Sequence, residues 1–127
     1  MQNYNSKLKI EKDFDIKVRA YKYALRVMAL VDNLPQKRSV QIIVDQLLRA
    51  ATSVGANIIE AQAASSRRDF VNFMTHALKS GNECKFWLGL LRDGSLVSPN
   101  IINPLLSETK EITNIVATIV MNTKANR

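Results

Sequence analysis

The feature that most constrains this fold is a row of apolar residues that recurs at alternating gaps of four and three along the middle of the chain. The row consists of Val40, Val44, Leu47, Ala51, Val54, Ile58 and Ala61. This spacing places every member on one side of an α-helix. An apolar side of this length must be covered by other helices. We therefore predict a long core helix over about residues 39–63.

Three other segments show similar helical spacing of apolar residues. We predict helices over about residues 15–34, 66–93 and 99–123. Short connections between long helices force neighbours to run antiparallel. The predicted fold class is therefore all-α: an antiparallel up-down-up-down four-helix bundle that forms a single domain over residues 1–127. Residues 1–14 are polar and lysine-rich without periodicity, and we expect them to form a flexible arm.

Residues with capping chemistry mark the predicted helix ends. Ser66 can cap the third helix by accepting a hydrogen bond from the backbone N–H of Asp69. Gly94 suits a left-handed cap at the end of that helix. The fourth helix has two candidate starts, Ser98–Pro99 and Asn103–Pro104, because each is a cap residue followed by proline.

Glycines interrupt the predicted helices at Gly55, Gly81 and Gly89. Each glycine costs about 1 kcal/mol relative to alanine within a helix. We therefore expect these positions to mark places where two helices approach closely. A glycine without a packing role is the alternative.

The composition narrows the classes of function. With 4 Gly and 3 Pro, the chain has too few turn residues for an all-β fold. One Cys and one His exclude an internal disulfide and a Cys/His zinc site. No apolar run approaches the roughly eighteen residues that span a bilayer. We expect a cytoplasmic protein with no membrane partner and no cofactor.

Polar residues line up beside the apolar rows of the two central helices. The second helix carries Arg49, Ser53, Asn57 and Glu60, and the third carries His76, Ser80 and Glu83. An antiparallel hairpin turns these two rows toward each other. We predict a structural polar network in which Arg49 pairs with Glu83. The alternative is an enzyme that uses Asn57, Glu60 and His76.

The residue patterns of known catalytic sites are missing from the sequence. A carboxylate di-metal centre in a helix bundle needs Glu-x-x-His motifs on two helices, whereas this chain has a single histidine, His76. Cys84 falls on an apolar row, which indicates a core position rather than a reactive thiol. There is no Gly-rich phosphate loop and no nucleophile elbow. We predict no catalytic residues, no metal site and no enzymatic activity.

Positive charge is the strongest functional signal. Lys+Arg 18 against Asp+Glu 11 gives a net charge of +7, which favours an acidic partner such as nucleic acid. Several cations share one side of the first helix without an acidic residue in that row, and two more lie at the turn between the second and third helices. The predicted nucleic-acid-binding residues are Lys17, Arg19, Lys22, Arg26, Arg67 and Arg68. An ordinary solvated helix face is the alternative.

The first helix also has more apolar surface than one bundle can cover. Beside its inner apolar row runs a second row formed by Val18, Tyr21, Leu25 and Met28. Large exposed apolar surfaces mark sites of association. We expect an interface between subunits to bury this surplus.

The second helix resembles a known bacterial family. Residues 46–61 read QLLRAATSVGANIIEA, and this segment is similar to the hallmark of the four-helix-bundle proteins encoded in intervening sequences of large-subunit ribosomal RNA genes. The resemblance covers about residues 35–120 and continues through Ser65-Ser66-Arg67, Asp69-Phe70, residues 76–80 with Glu83, Phe86-Trp87-Leu88, Leu90-Leu91, Leu106, Glu108 and Glu111-Ile112. The chain departs from the pattern at Gly55, where many members have proline, and at Ala61, where many have glycine.

This resemblance implies a ring-shaped homopentamer. It also implies a distant relation to the accessory variability proteins of diversity-generating retroelements, which bind nucleic acid and a reverse transcriptase. The function we predict is accordingly a non-enzymatic oligomer that binds RNA or DNA through a basic surface, with a reverse transcriptase as a partner if the gene lies in a retroelement. The alternative is a scaffold that binds another protein and no nucleic acid.

Overall fold

A computed structural model describes residues 15–126, and these residues form four α-helices joined by short connections. The helices are α1 (Ile16–Asp32), α2 (Arg38–Gln62), α3 (Arg67–Asp93) and α4 (Pro99–Ala125). No strand occurs between residues 15 and 126. The predicted all-α four-helix bundle is confirmed. The predicted flexible arm, residues 1–14, lies outside the described residues.

The helices pack in a ring of four neighbours. Contacts join α1 to α2, α2 to α3, α3 to α4 and α4 back to α1, with α2 against α3 the most extensive pair and α1 against α4 the least. Because consecutive helices are antiparallel, α1 and α3 begin at the bundle end where α2 and α4 finish. We call this the Arg67 end, since Arg67 is the first residue of α3.

Apolar residues of all four helices form the core, and on α2 they include the predicted row. All seven members of the α2 row are buried. The inner side of α1 contributes Ala20, Tyr23, Val27 and Leu30. From α3 come Met74, Ala77, Cys84, Leu88 and Leu91, and from α4 chiefly Ile102, Leu105, Ile112 and Val116. Helical spacing therefore predicts correctly which side of each helix is buried.

By length and composition alone, α2 could cross a membrane, and it is the one described helix that passes this test. Its eight buried residues pack in the core, and it contacts both α1 and α3. An apolar side packed between two neighbouring helices is typical of a helix in a bundle.

The helix starts follow the capping rules. The Asp15 carboxylate accepts a hydrogen bond from the Lys17 backbone N–H at 2.8 Å, and Ser66 Oγ accepts from the Asp69 N–H at 3.1 Å, as predicted. Ser98 caps α4, so the earlier of the two candidate starts is the observed one. Pro104 lies inside α4, in its second turn.

The end of α3 differs from the prediction. Gly94 has a φ of −79°, whereas the left-handed residue is Ser95, with a φ of 59°. The Gly94 N–H donates to the Leu90 carbonyl at 2.9 Å and continues the helical pattern for one more residue. The chain then reverses at Ser95, after which the Leu96 and Val97 N–H groups both donate to the Leu91 carbonyl at 3.0 Å.

The three helix glycines have different surroundings. A Cβ atom built on Gly81 would overlap the Thr113 side-chain methyl group of α4. At Gly55 the same atom would lie 3.7 Å from the Ala20 Cβ, an ordinary contact across α1 and α2. At Gly89 it would have nothing within 4 Å. Close helix approach therefore requires glycine at Gly81, whereas Gly89 has no such role.

We expect the substitution Gly81→Ala to destabilise the protein by about 1 to 3 kcal/mol, because the overlap with Thr113 outweighs the better helix propensity of alanine. Gly89→Ala is the matched control. It should raise the free energy of unfolding by about 0.4 to 1 kcal/mol, since alanine loses less backbone entropy on folding. Urea melts of both variants measure the difference. Equal free energies of unfolding for the two variants would contradict close packing at Gly81.

Candidate functional site

An exposed apolar groove runs along the outer side of α1 and α2. Its walls include Tyr21 and Ile59, which are 68% and 55% exposed, together with the exposed Leu25 and Met28. Small residues lie between these walls, chiefly Ala24, Gly55 and Ala56, and the groove has a volume of about 440 Å³. Within residues 15–126, Tyr21, Leu25 and Met28 of the second α1 row are therefore left exposed. We call this surface the α1–α2 groove.

Part of the predicted polar network forms between α2 and α3. Ser80 Oγ donates to Ser53 Oγ at 2.9 Å, so a hydrogen bond crosses between the helices. The Asn57 side-chain amide donates to Ser53 Oγ at 3.0 Å and to the Ser53 carbonyl at 2.9 Å. These three half-buried residues link the two helices at one level of the bundle.

The charged members of the predicted network do not join it. Arg49, Glu60, His76 and Glu83 are all exposed. Within residues 15–126, no hydrogen bond or ion pair connects Arg49 to Glu83, so the predicted pair is wrong. The shorter side chains of Ser53, Asn57 and Ser80 fill the helix interface, and the longer charged side chains lie at its edge in water.

Arg19 binds two carboxylates of α4. Its Nη2 lies 2.5 Å from Glu108 Oε1 and 2.7 Å from Glu111 Oε2, and its Nε donates to Glu108 Oε2 at 3.2 Å. The side chains of Arg19 and Glu108 are only 17% and 20% exposed. Hydrogen bonds to Glu108 and then to Glu111 raise the pKa of Arg19 above its usual range. Arg19 therefore connects α1 to α4.

This ion pair corrects the prediction for the cationic row of α1. The row has no acidic residue in the sequence, but the fold brings two carboxylates of α4 against Arg19. Lys17 also lies 3.8 Å from the Asp15 carboxylate, while Lys22 and Arg26 are exposed on the helix surface. Nucleic-acid binding stays a prediction for Lys17, Lys22 and Arg26, whereas the charge of Arg19 is already compensated.

The predicted pair Arg67 and Arg68 lines a pocket at the Arg67 end. The pocket lies between the first turns of α3 and the last turns of α4, has a volume of about 380 Å³, and is lined by Arg67, Arg68, Val71, Asn72, Thr123 and Lys124. Three of these side chains are cationic and none is acidic. The sequence does not single out Lys124, because nothing near it distinguishes it from a lysine at a fraying helix end.

Cys84 occupies the centre of the bundle. It is fully buried, and burial raises the pKa of its thiol to about 11. Burial likewise raises the pKa of Tyr23, whose hydroxyl lies 2.6 Å from Thr109 Oγ1. A buried protonated thiol is unreactive at neutral pH. The predicted core position of Cys84 is confirmed.

The described residues define a helical bundle with an apolar groove on one side and a cationic pocket at one end. No three His, Cys, Asp or Glu side chains between residues 15 and 126 are grouped to hold a metal ion.

The chain belongs to the 23S rRNA-intervening sequence protein family, whose model matches residues 12–118. The family predicted from residues 46–61 and the later helices is thereby confirmed.

A solved structure supports the same relation. It is that of a protein of unknown function from the S23 ribosomal protein family of Bacteroides thetaiotaomicron, which is 32% identical in sequence. The alignment covers 84% of this chain and 98% of that chain, with a TM-score of 0.79. A search of curated proteins gave no match. The relation to the accessory variability proteins of retroelements stays a prediction.

We expect Arg19→Gln to destabilise the protein by about 1 to 3 kcal/mol, between the values typical of exposed and of buried ion pairs. The variant leaves Glu108 poorly solvated and without its cation. Arg49→Gln is the matched control, and it should change stability by less than about 0.5 kcal/mol because Arg49 is exposed. Chemical denaturation measures both. A larger loss of stability for Arg49→Gln than for Arg19→Gln would overturn this assignment.

Proposed function

We propose that this protein is a non-enzymatic homo-oligomer, a pentamer by its family resemblance, that binds the phosphate backbone of RNA or DNA in the cytoplasm. The observation that carries this proposal is the gathering of cations from separate helices at the Arg67 end. Arg67 and Arg68 come from the start of α3 and Lys124 from the end of α4, and all three line one pocket. Clustered cations of this kind attract phosphates irrespective of base sequence.

The α1–α2 groove supports the oligomeric part of the proposal. Tyr21, Leu25, Met28 and Ile59 form one contiguous exposed apolar surface. Single exposed apolar residues are common, whereas a contiguous patch marks an association site. Five copies, each with a net charge of +7, would concentrate positive potential around a ring and strengthen the attraction for nucleic acid.

A protein-binding scaffold is the second candidate, and a separate surface favours it. Phe86 and Leu90 of α3 are 59% and 40% exposed. The Phe86 ring packs edge-to-face on Trp87, with ring centroids 5.0 Å apart. Exposed aromatic residues of this kind are typical anchors for a protein partner. On this hypothesis the basic charge would serve solubility alone.

The first test of the proposal is the oligomeric state. Light scattering at micromolar concentration should give the mass of an oligomer, and Leu25→Glu should shift it toward the monomer, because a charge in the groove would be buried without a partner. Thr118→Glu adds the same charge at an exposed position of α4 and should leave the assembly intact. A wild-type protein that is monomeric would contradict the proposal.

The second test is the salt dependence of nucleic-acid binding, measured by fluorescence anisotropy with single-stranded and duplex RNA and DNA. Replacing Arg68 and Lys124 at the Arg67 end with Gln should weaken binding similarly for all sequences. The slope of log affinity against log salt should fall by about 0.7 to 0.9 for each phosphate that the variant no longer neutralises.

The control is the double variant Lys37→Gln with Arg38→Gln, at the start of α2 and the opposite end of the bundle. It removes two charges and should keep the wild-type slope if the proposed surface binds phosphate. Absence of salt-dependent binding in the wild-type protein would leave the scaffold as the better explanation.

A further inference from the structure

The pocket at the Arg67 end is lined by positively charged side chains from two helices. Arg67 and Arg68 approach it from α3, and Lys124 approaches it from α4. A guanidinium N–H of Arg67 donates to the Asn126 backbone carbonyl, which ties this arginine to the end of α4. The guanidinium group of an arginine carries several N–H donors, and those not bonded to Asn126 can still reach a ligand.

The rest of the pocket suits a compact anion. Asn72 lines it with a side-chain amide that can donate to an anion, and Val71 contributes an apolar wall. The nearest first-turn carboxylate of α3, Asp69, accepts a hydrogen bond from Ser65 Oγ at 3.0 Å and is not among the lining residues. Three cations with no acidic residue in the lining give this pocket a positive potential that attracts an anion.

The charge of this pocket matches a phosphate monoester better than a diester. A monoester carries a charge of about −1.5 to −2 at neutral pH and three acceptor oxygens. A diester within a nucleic-acid backbone carries a single charge, and its two ester bonds leave fewer oxygens to bind. Arginine recognises phosphate oxygens with paired N–H donors, and lysine adds a point charge.

We propose that Arg67, Arg68 and Lys124 form a binding site for a terminal phosphate group, such as the 5′-phosphate of a nucleic-acid strand. This inference deepens the proposed function and rests on it for the source of the phosphate. The pocket shares no lining residue with the α1–α2 groove, so an assembly built through the groove leaves it accessible.

The test compares one single-stranded oligonucleotide with a 5′-phosphate and the same oligonucleotide with a 5′-hydroxyl, by anisotropy at constant ionic strength. The wild-type protein should bind the phosphorylated strand about tenfold more tightly. The double variant Arg68→Gln with Lys124→Gln should lose this preference. Arg67 is kept in the variant because it also bonds Asn126. The control with the same reduction in charge, Lys37→Gln with Arg38→Gln, should retain the preference.

Calorimetric titration with inorganic phosphate distinguishes the two sources of the ligand. Binding of phosphate without binding of either oligonucleotide, abolished in the Arg68 and Lys124 variant but not in the control, would support the pocket and contradict the nucleic-acid proposal. Equal affinity of the wild-type protein for both oligonucleotides would overturn the pocket and leave backbone binding intact. A preference that survives in the double variant would also overturn it. No binding of any of the three ligands would overturn both proposals.

Discussion

Burial of the apolar side of α2 is the interaction on which the rest of the bundle depends. Eight residues of α2 are buried, and each fully buried valine, leucine or isoleucine contributes about 1.5 to 3 kcal/mol. Because α2 contacts both α1 and α3, its burial positions three of the four helices. The close approach at Gly81 then brings α4 against α3, and the Ser53–Ser80 hydrogen bond links α2 to α3 at one level of the bundle.

This packing sorts the remaining surface into separate regions. The outer side of α1 and α2 stays apolar, the Arg67 end collects cations, and α3 exposes the aromatic ring of Phe86. Each region suits a different kind of contact, because apolar area favours permanent association and cations favour a phosphate. The groove and the cationic pocket share no lining residue, so the proposed assembly and the proposed phosphate binding would not compete.

The sequence predicts the parts of this structure that depend on neighbours along the chain. Helical spacing locates the four helices and their buried sides, and local chemistry locates the cap at Ser66. Contacts between distant segments could not be predicted in this way. Arg19 and Glu108 are 89 positions apart, so their ion pair cannot be inferred from the row of cations on α1. The position of Lys124 beside Arg67 and Arg68 likewise depends on where α4 ends relative to α3.

The predicted pair of Arg49 and Glu83 shows a different limit. Helical spacing predicts the facing sides of α2 and α3 correctly, since Ser53 and Ser80 meet. Side-chain length decides what happens at the edge of such a face, because long charged side chains can reach water where short ones cannot. Spacing along a helix fixes the direction of a residue but leaves its degree of burial open.

The connection of α1 to the bundle has a consequence for how stability would depend on protein concentration. This helix makes its least extensive contact with α4, where Arg19 supplies two ion pairs. Tyr21, Leu25 and Met28 on its outer side are not covered by the other described helices. A neighbouring subunit seated in the α1–α2 groove would hold α1 in place from outside. Anything that binds the folded state alone raises its stability by mass action. Assembly would then act on folding as a ligand does, and dilution would loosen α1 before the rest of the bundle.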